Sequence, residues 1–142
     1  MKVLKNTLVR RTCYVVLSLA ISGLSIVSHA SAQADCQALI AELRAQTEAV
    51  AITGKNAEKN RTGLLAKLDN ASAELGKGKL CDAISKLNDF RNKVNQLIAS
   101  GSINTDTSAG VTGQDLVDGA TEAIACIQAL VDQSGTVCPP LE

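Results

Sequence analysis

The stretch 79–100, KLCDAISKLNDFRNKVNQLIAS, decides how this chain folds. Leu80, Ala83, Ile84, Leu87, Phe90, Val94, Leu97 and Ile98 recur at every third or fourth position. That period puts them on one stripe of a helix and leaves Lys, Asp, Asn and Arg to the rest of its surface. Gly101 follows as a stop. A helix with one apolar stripe cannot bury it alone, so the neighbouring segments must supply facing stripes.

They do. Segment 35–53 carries Leu39, Leu43, Gln46 or Thr47, and Val50, with Ile40 beside them. Asp35 is placed to cap its start and Gly54 to end it. Segment 57–75 carries Leu64, Leu65, Leu68, Ala71 and Leu75, and Gly76-Lys77-Gly78 turns the chain sharply after it. Residues 102–111 are polar and contain glycine, which predicts a loop. Thr112-Gly113-Gln114-Asp115 resembles a capping box with Asp in place of Glu. It opens a fourth helix with Leu116, Ala120, Ala123, Ile124, Ile127, Leu130 and Val131, ended by Gly135 and Pro139-Pro140. No stretch alternates as a strand would. The expected fold is all-α: an antiparallel up-down four-helix bundle over 35–133, with a tail at 134–142.

Residues 1–32 read as a cleaved signal peptide. Lys2, Lys5, Arg10 and Arg11 form a basic start, and 13–27 is an apolar, charge-free run. Ala30-Ser31-Ala32 and Ala32-Gln33-Ala34 are both small-x-small sites, so cleavage is expected near 32 or 34. The apolar run is shorter than the roughly 20 residues of a spanning helix, so no membrane span is expected in the mature chain. Arg10-Arg11 is followed by a poor match to a twin-arginine signal, and Cys13 precedes the apolar run instead of ending it as a lipoprotein cysteine would. The expected location is secreted or periplasmic.

Cleavage changes the chemistry available. The 142-residue chain has one histidine, one tyrosine and one methionine, and all three lie in the leader. Phe90 is then the sole aromatic. Of 14 basic residues, 10 remain beside all 14 acidic ones, a net charge of −4. That balance argues against nucleic acid as a partner. Four cysteines also remain: Cys36, Cys81, Cys126 and Cys138. An even number in a small exported chain predicts two disulfides, and the absence of a C-x-x-C pair and of histidine argues against zinc. In an up-down bundle all four gather at one end. Cys36–Cys126 with Cys81–Cys138 is favoured, because the first pair joins the terminal helices. Cys36–Cys81 with Cys126–Cys138 is nearly as good.

Two runs are more specific than periodicity. They are Arg61-Thr62-Gly63-Leu64-Leu65-Ala66-Lys67-Leu68-Asp69-Asn70-Ala71, and 83–97 (AISKLNDFRNKVNQL) followed by Ser100-Gly101-Ser102-Ile103. Together with Leu116, Ala120 and Ile124, they resemble the FIMAH domain, a small all-helical module. Its helices carry the patterns LLxKLxxA, AxxxLxxFxxxVxxL and LxxxAxxxI. The resemblance covers about 50–131. It implies a non-catalytic accessory module of the kind found at the ends of large exported bacterial enzymes and surface proteins, with no established catalytic residues. This chain departs from that pattern in standing without an enzyme domain and in carrying four cysteines.

The remaining chemistry is sparse. A serine or cysteine nucleophile usually needs a histidine, and the mature chain has none. There is no S-x-x-K, no glycine-rich phosphate loop and no H-E-x-x-H. Asn104-Thr105-Asp106-Thr107 offers oxygen atoms but lacks the order of a calcium loop, so a plain turn is expected. No catalytic residue, metal or cofactor is expected. Charge is nevertheless uneven. Residues 55–93 hold nine basic and five acidic side chains, whereas 94–142 hold six acidic and no basic ones. Lys59, Arg61, Lys67, Lys86, Arg91 and Lys93 are candidates for a basic patch that meets an anionic envelope polymer or an acidic protein. The expected function is an exported interaction module. An inhibitor of an exported enzyme is the first alternative, and an enzyme of unrecognised type the second.

Overall fold

A computed structural model describes residues 28–106, 108 and 110–139. The basic start and the apolar run of the expected leader lie outside the described residues. So do Thr107 and the last three residues of the tail.

The described chain is all-helical: α1 (Ser28–Ala49), α2 (Ala57–Gly76), α3 (Leu80–Ala99) and α4 (Gly113–Ser134). Each helix packs on its neighbour in sequence and α1 closes against α4, while the diagonal pairs do not approach. Three residues join α2 to α3, which forces an antiparallel hairpin. The result is the up-down bundle that the short turns predict. Among the described residues, no helix is long and apolar enough to cross a membrane.

In three helices the core follows most of the expected stripe, while Leu65, Leu80, Ile98 and Ile124, also expected on it, are only partly buried. Leu64, Leu68, Ala71 and Leu75 of α2 are buried, as are Ala83, Ile84, Leu87, Phe90, Val94 and Leu97 of α3. From α4 come Leu116, Ala120, Ala123, Ile127, Leu130 and Val131. In α1 the seam runs through Cys36, Ile40, Leu43, Thr47 and Val50, at alternating steps of four and three. Leu39, expected on that seam, is only partly buried at its edge. Thr47 is 0 % exposed. It is tolerated there because its hydroxyl donates to the Leu43 carbonyl at 2.8 Å.

Both ends of α1 differ from expectation. Asp35 does not cap the helix, because α1 begins at Ser28 and Asp35 lies inside it. Both small-residue cleavage sites therefore fall within α1. Gln33 and Gln37 donate to the Leu75 and Ser72 carbonyls at 2.6 and 2.8 Å, tying the start of α1 to the end of α2. At its other end α1 stops at Ala49, four residues short of expectation. The chain leaves the helix because Ile52 forms an antiparallel bridge with Ile103. Thr53 N–H donates to Ser102 at 2.8 Å and Asn104 N–H to Ala51 at 3.0 Å. Ile103 is thus a core residue inside a segment whose composition reads as a polar loop.

The turns use two devices. After α2, Gly78 takes φ +73°, its N–H reaches Leu75 and that of Lys79 reaches Glu74. After α3, Gly101 at φ +66° does the same, with bonds from Gly101 to Ile98 and from Ser102 to Leu97. Both are Schellman closures, which satisfy carbonyls that the helix end leaves bare. The start of α4 is a true capping box: Thr112 Oγ1 accepts from Asp115 N–H at 3.2 Å, and Asp115 Oδ2 accepts from Thr112 N–H at 2.8 Å. These bonds stabilise the Asp115 carboxylate and hold its pKa below the ordinary 3.8, the Thr112 backbone bond contributing most. Gly113 follows for a steric reason. A Cβ there would lie 2.7 Å from both Ile98 and Ile103 side chains.

Gly113→Ala should lower stability by about 1–3 kcal/mol, because two packed isoleucines would have to move. Urea unfolding followed by circular dichroism measures it. A second expectation concerns acid. The Asp115 contribution is present above its unfolded pKa, ordinarily 3.8, and is lost as pH falls through the lower folded value. Melting temperature should therefore fall less steeply below about pH 4 in Asp115→Asn than in the parent.

Candidate functional site

The six expected cations do not form one patch. Arg61, in the second turn of α2, turns back to the end of α1. Its Nη1 donates to the carbonyls of Thr47 and Glu48 at 2.8 and 2.6 Å, and its Nη2 to that of Val50 at 3.0 Å. These are orphan carbonyls of a helix that lacks a glycine closure, and a cation suits the negative end of the dipole. Arg61 is a structural cap and leaves the patch. Arg91 also leaves it. Its Nη2 donates to Asn88 Oδ1 at 2.7 Å, and the side chain faces α4.

Three of the remaining lysines stand on the adjoining helices α2 and α3. Lys67 of α2 reaches Asp89 of α3 at 4.0 Å. On α3, Lys86, Asp89 and Lys93 stand at i, i+3 and i+7, which is one ridge of a helix. Lys86 and Lys93 thus share the side of α3 that carries Asp89, the carboxylate that Lys67 reaches. Lys59 is exposed and lies two turns, about 12 Å, further along α2.

The four cysteines meet at the opposite end of the bundle from the Ile52–Ile103 bridge. Cys36 is joined to Cys126 and Cys81 to Cys138, with Cα separations of 5.6 and 5.4 Å. The first bond links α1 to α4 from within the core, where Cys36 is 0 % exposed. The second ties the tail after α4 back to the start of α3.

That second bond closes one end of an open cleft of about 950 Å³ between α3, α4 and the tail. Its α3 wall includes Cys81, Ser85, Asn88 and Asn92, at i, i+4, i+7 and i+11, with Asp82, Ile84, Asp89 and Arg91 beside them. Gln128, Val131 and Asp132 form the α4 wall, and Thr136 to Pro139 the end. Gln128 Nε2 donates to Asp132 Oδ1 at 3.0 Å. Val137, on the tail, is 89 % exposed, the one large apolar side chain so placed among the described residues. The uncharged polar ridge of α3 was legible as Ser, Asn and Asn at helical spacing. It is overlooked when attention goes to charges and to the apolar stripe.

The carboxyls held below their usual range lie outside this cleft. Glu74 is lowered chiefly by the hydrogen bond from Lys77, at 2.8 Å, with Lys79 adding to it. Asp106 is lowered by the Ser108 backbone N–H, which donates to it at 2.9 Å. Asn104 and Asp106 spend their oxygens on turns of this kind, with Asp106 N–H donating to Asn104 Oδ1 at 2.9 Å, as a plain turn requires. Among the described residues, no group of three or more His, Cys, Asp or Glu is placed to hold a metal ion. The arrangement offers hydrogen bonding and charge.

No protein-family model, no curated protein and no solved structure matches this chain.

Arg61→Ala should destabilise the protein by roughly 1–3 kcal/mol, as expected for losing charged hydrogen bonds to bare carbonyls. Amide exchange should locate the loss, with protection falling first in the last turn of α1 and at the Ile52–Ile103 bridge. Equal loss of protection across all four helices would contradict the capping role.

Proposed function

We propose that this chain is an exported, non-catalytic interaction module of FIMAH type that docks on an anionic polymer through Lys67, Lys86 and Lys93. The observation that carries the reading is the ridge described above, with Lys86, Asp89 and Lys93 in line on α3 and Lys67 reaching their centre. Exposed ion pairs of this kind add little to stability, so the excess of two positive charges is available to a ligand. Export is supported by two disulfides joining distant parts of a small chain, since such bonds persist in oxidising compartments. The FIMAH reading is supported by packing. Leu64, Leu68, Ala71, Ala83, Leu87, Phe90, Val94 and Leu97 of the family-like patterns are buried, and Leu65 and Ile124 of the same patterns are partly buried.

The test is retention of the oxidised protein on immobilised heparin, used as a generic polyanion. The protein should bind at low ionic strength and elute as the Debye length falls below about 8 Å. The triple variant Lys67→Gln, Lys86→Gln, Lys93→Gln should bind at least about tenfold more weakly, a loss of about 1.4 kcal/mol. Unchanged retention of that variant would refute the assignment. Turnover of any substrate on a hydrolase panel would refute the non-catalytic reading.

A further inference from the structure

We infer that the cleft between α3, α4 and the tail binds an extended polypeptide segment of about five residues that carries a lysine or arginine. The first argument is shape. The α3 wall from Cys81 to Asn92 spans eleven residues of helix, about 16 Å. An extended chain advances about 3.3 Å per residue, so five residues fill that length. The cleft is open to solvent, as a bound segment of a longer chain requires.

The second argument is hydrogen-bonding chemistry. Asn88, Asn92 and Gln128 line the two walls. A side-chain amide can pair with a peptide group through one donor and one acceptor. Asn88 already donates to the Ile84 carbonyl at 3.0 Å and accepts from Arg91 at 2.7 Å, and Gln128 donates to Asp132, so the Asn92 amide and the Gln128 oxygen are the groups left to a ligand. Ile84 and Val131 form an apolar base, and Val137 stands exposed at the end beside the Cys81–Cys138 bond. Exposed apolar surface beside aligned amides suits a ligand with alternating main-chain polarity and side-chain bulk.

Charge selects the segment. Three carboxylates, Asp82, Asp89 and Asp132, line the cleft against one guanidinium. Asp89 is shared with Lys67 at 4.0 Å and Asp82 with Lys79 at 3.9 Å, both in exposed pairs at the limit of contact. Asp132 is in no ion pair among the described residues, and its carboxylate accepts only from Gln128 Nε2, at 3.0 Å on Oδ1. Arg91, the one cation in the cleft, is turned onto Asn88. The cationic side chain of the segment therefore belongs on the α4 wall, against Asp132. This site is separate from the lysine ridge: the two share only Asp89, and their ligands have opposite charge.

The experiment is titration of the oxidised, isotope-labelled protein with the capped pentapeptide Ala-Lys-Ala-Lys-Ala, read by the side-chain amide signals in NMR spectra. The expected result is saturable shifts of Asn88, Asn92 and Gln128. Asp132→Asn should weaken binding about five- to tenfold, while Asp118→Asn, on the exposed face of α4 outside the cleft, leaves it unchanged. The triple lysine variant should retain peptide binding, which separates this proposal from the polyanion reading. Equal binding of Ala-Glu-Ala-Glu-Ala, shifts mapping outside the cleft, or a response of the cleft amides to a neutral oligosaccharide but not to the peptide would each overturn it.

Discussion

The guanidinium of Arg61 on the last carbonyls of α1 is the contact from which the rest of this architecture follows. It ends a helix that has no glycine closure of its own. Because α1 ends at Ala49, residues 50–53 are free to run extended and to pair Ile52 with Ile103. That pairing seats the α3–α4 connection in the core, where Gly113 N–H donates to Asn104 at 2.7 Å. The capping box at Thr112 then starts α4 in a fixed register, and its register sets where Cys126 meets Cys36 and where the tail leaves for Cys81.

The two ends of the bundle are closed by different chemistry. One end relies on hydrogen bonds and two isoleucines, the other on covalent bonds. The disulfides span 90 and 57 residues of sequence. Loop closure over such lengths removes roughly 4–5 kcal/mol of unfolded-state entropy each in the chain model, and measured values commonly run at about 2–4 kcal/mol. The core they supplement is almost wholly aliphatic, with Phe90 its single aromatic. The bond from Cys81 to Cys138 does a further job: it holds the tail as one end of the cleft.

Much of the fold was legible in particular residues. The stripe from Ala83 to Leu97 is buried as its period demands, and Thr112 with Asp115 forms the cap that their spacing suggests. Leu64, Leu68, Ala71, Leu87, Phe90, Val94 and Leu97 are packing residues, which is why they speak clearly about architecture and only faintly about partners. The misreadings cluster in α1 and the segments it touches. Its face mixes Cys36 and Thr47 with Ile40 and Leu43, and a cysteine or threonine at a seam position looks polar until its bond partner is known. Ile103 in a polar loop and Arg61 among candidate ligand-binding cations were misjudged for the same reason: each is defined by a partner at least eleven residues away.

What the sequence determined by itself was the number of helices, most of their buried faces, the Thr112 cap of α4 and the glycine stops after α2, α3 and α4. Those signals are local, written within one or two turns of chain, and the period of the helix makes them readable. Only the tertiary structure decided which cations remain available, because a guanidinium counts as surface or as cap according to whether bare carbonyls stand within about 3 Å of it. The cleft likewise exists in no single segment. Its walls belong to α3, α4 and a tail brought together by one disulfide, so its chemistry appears only when residues 81 to 92 and 128 to 139 share the same space.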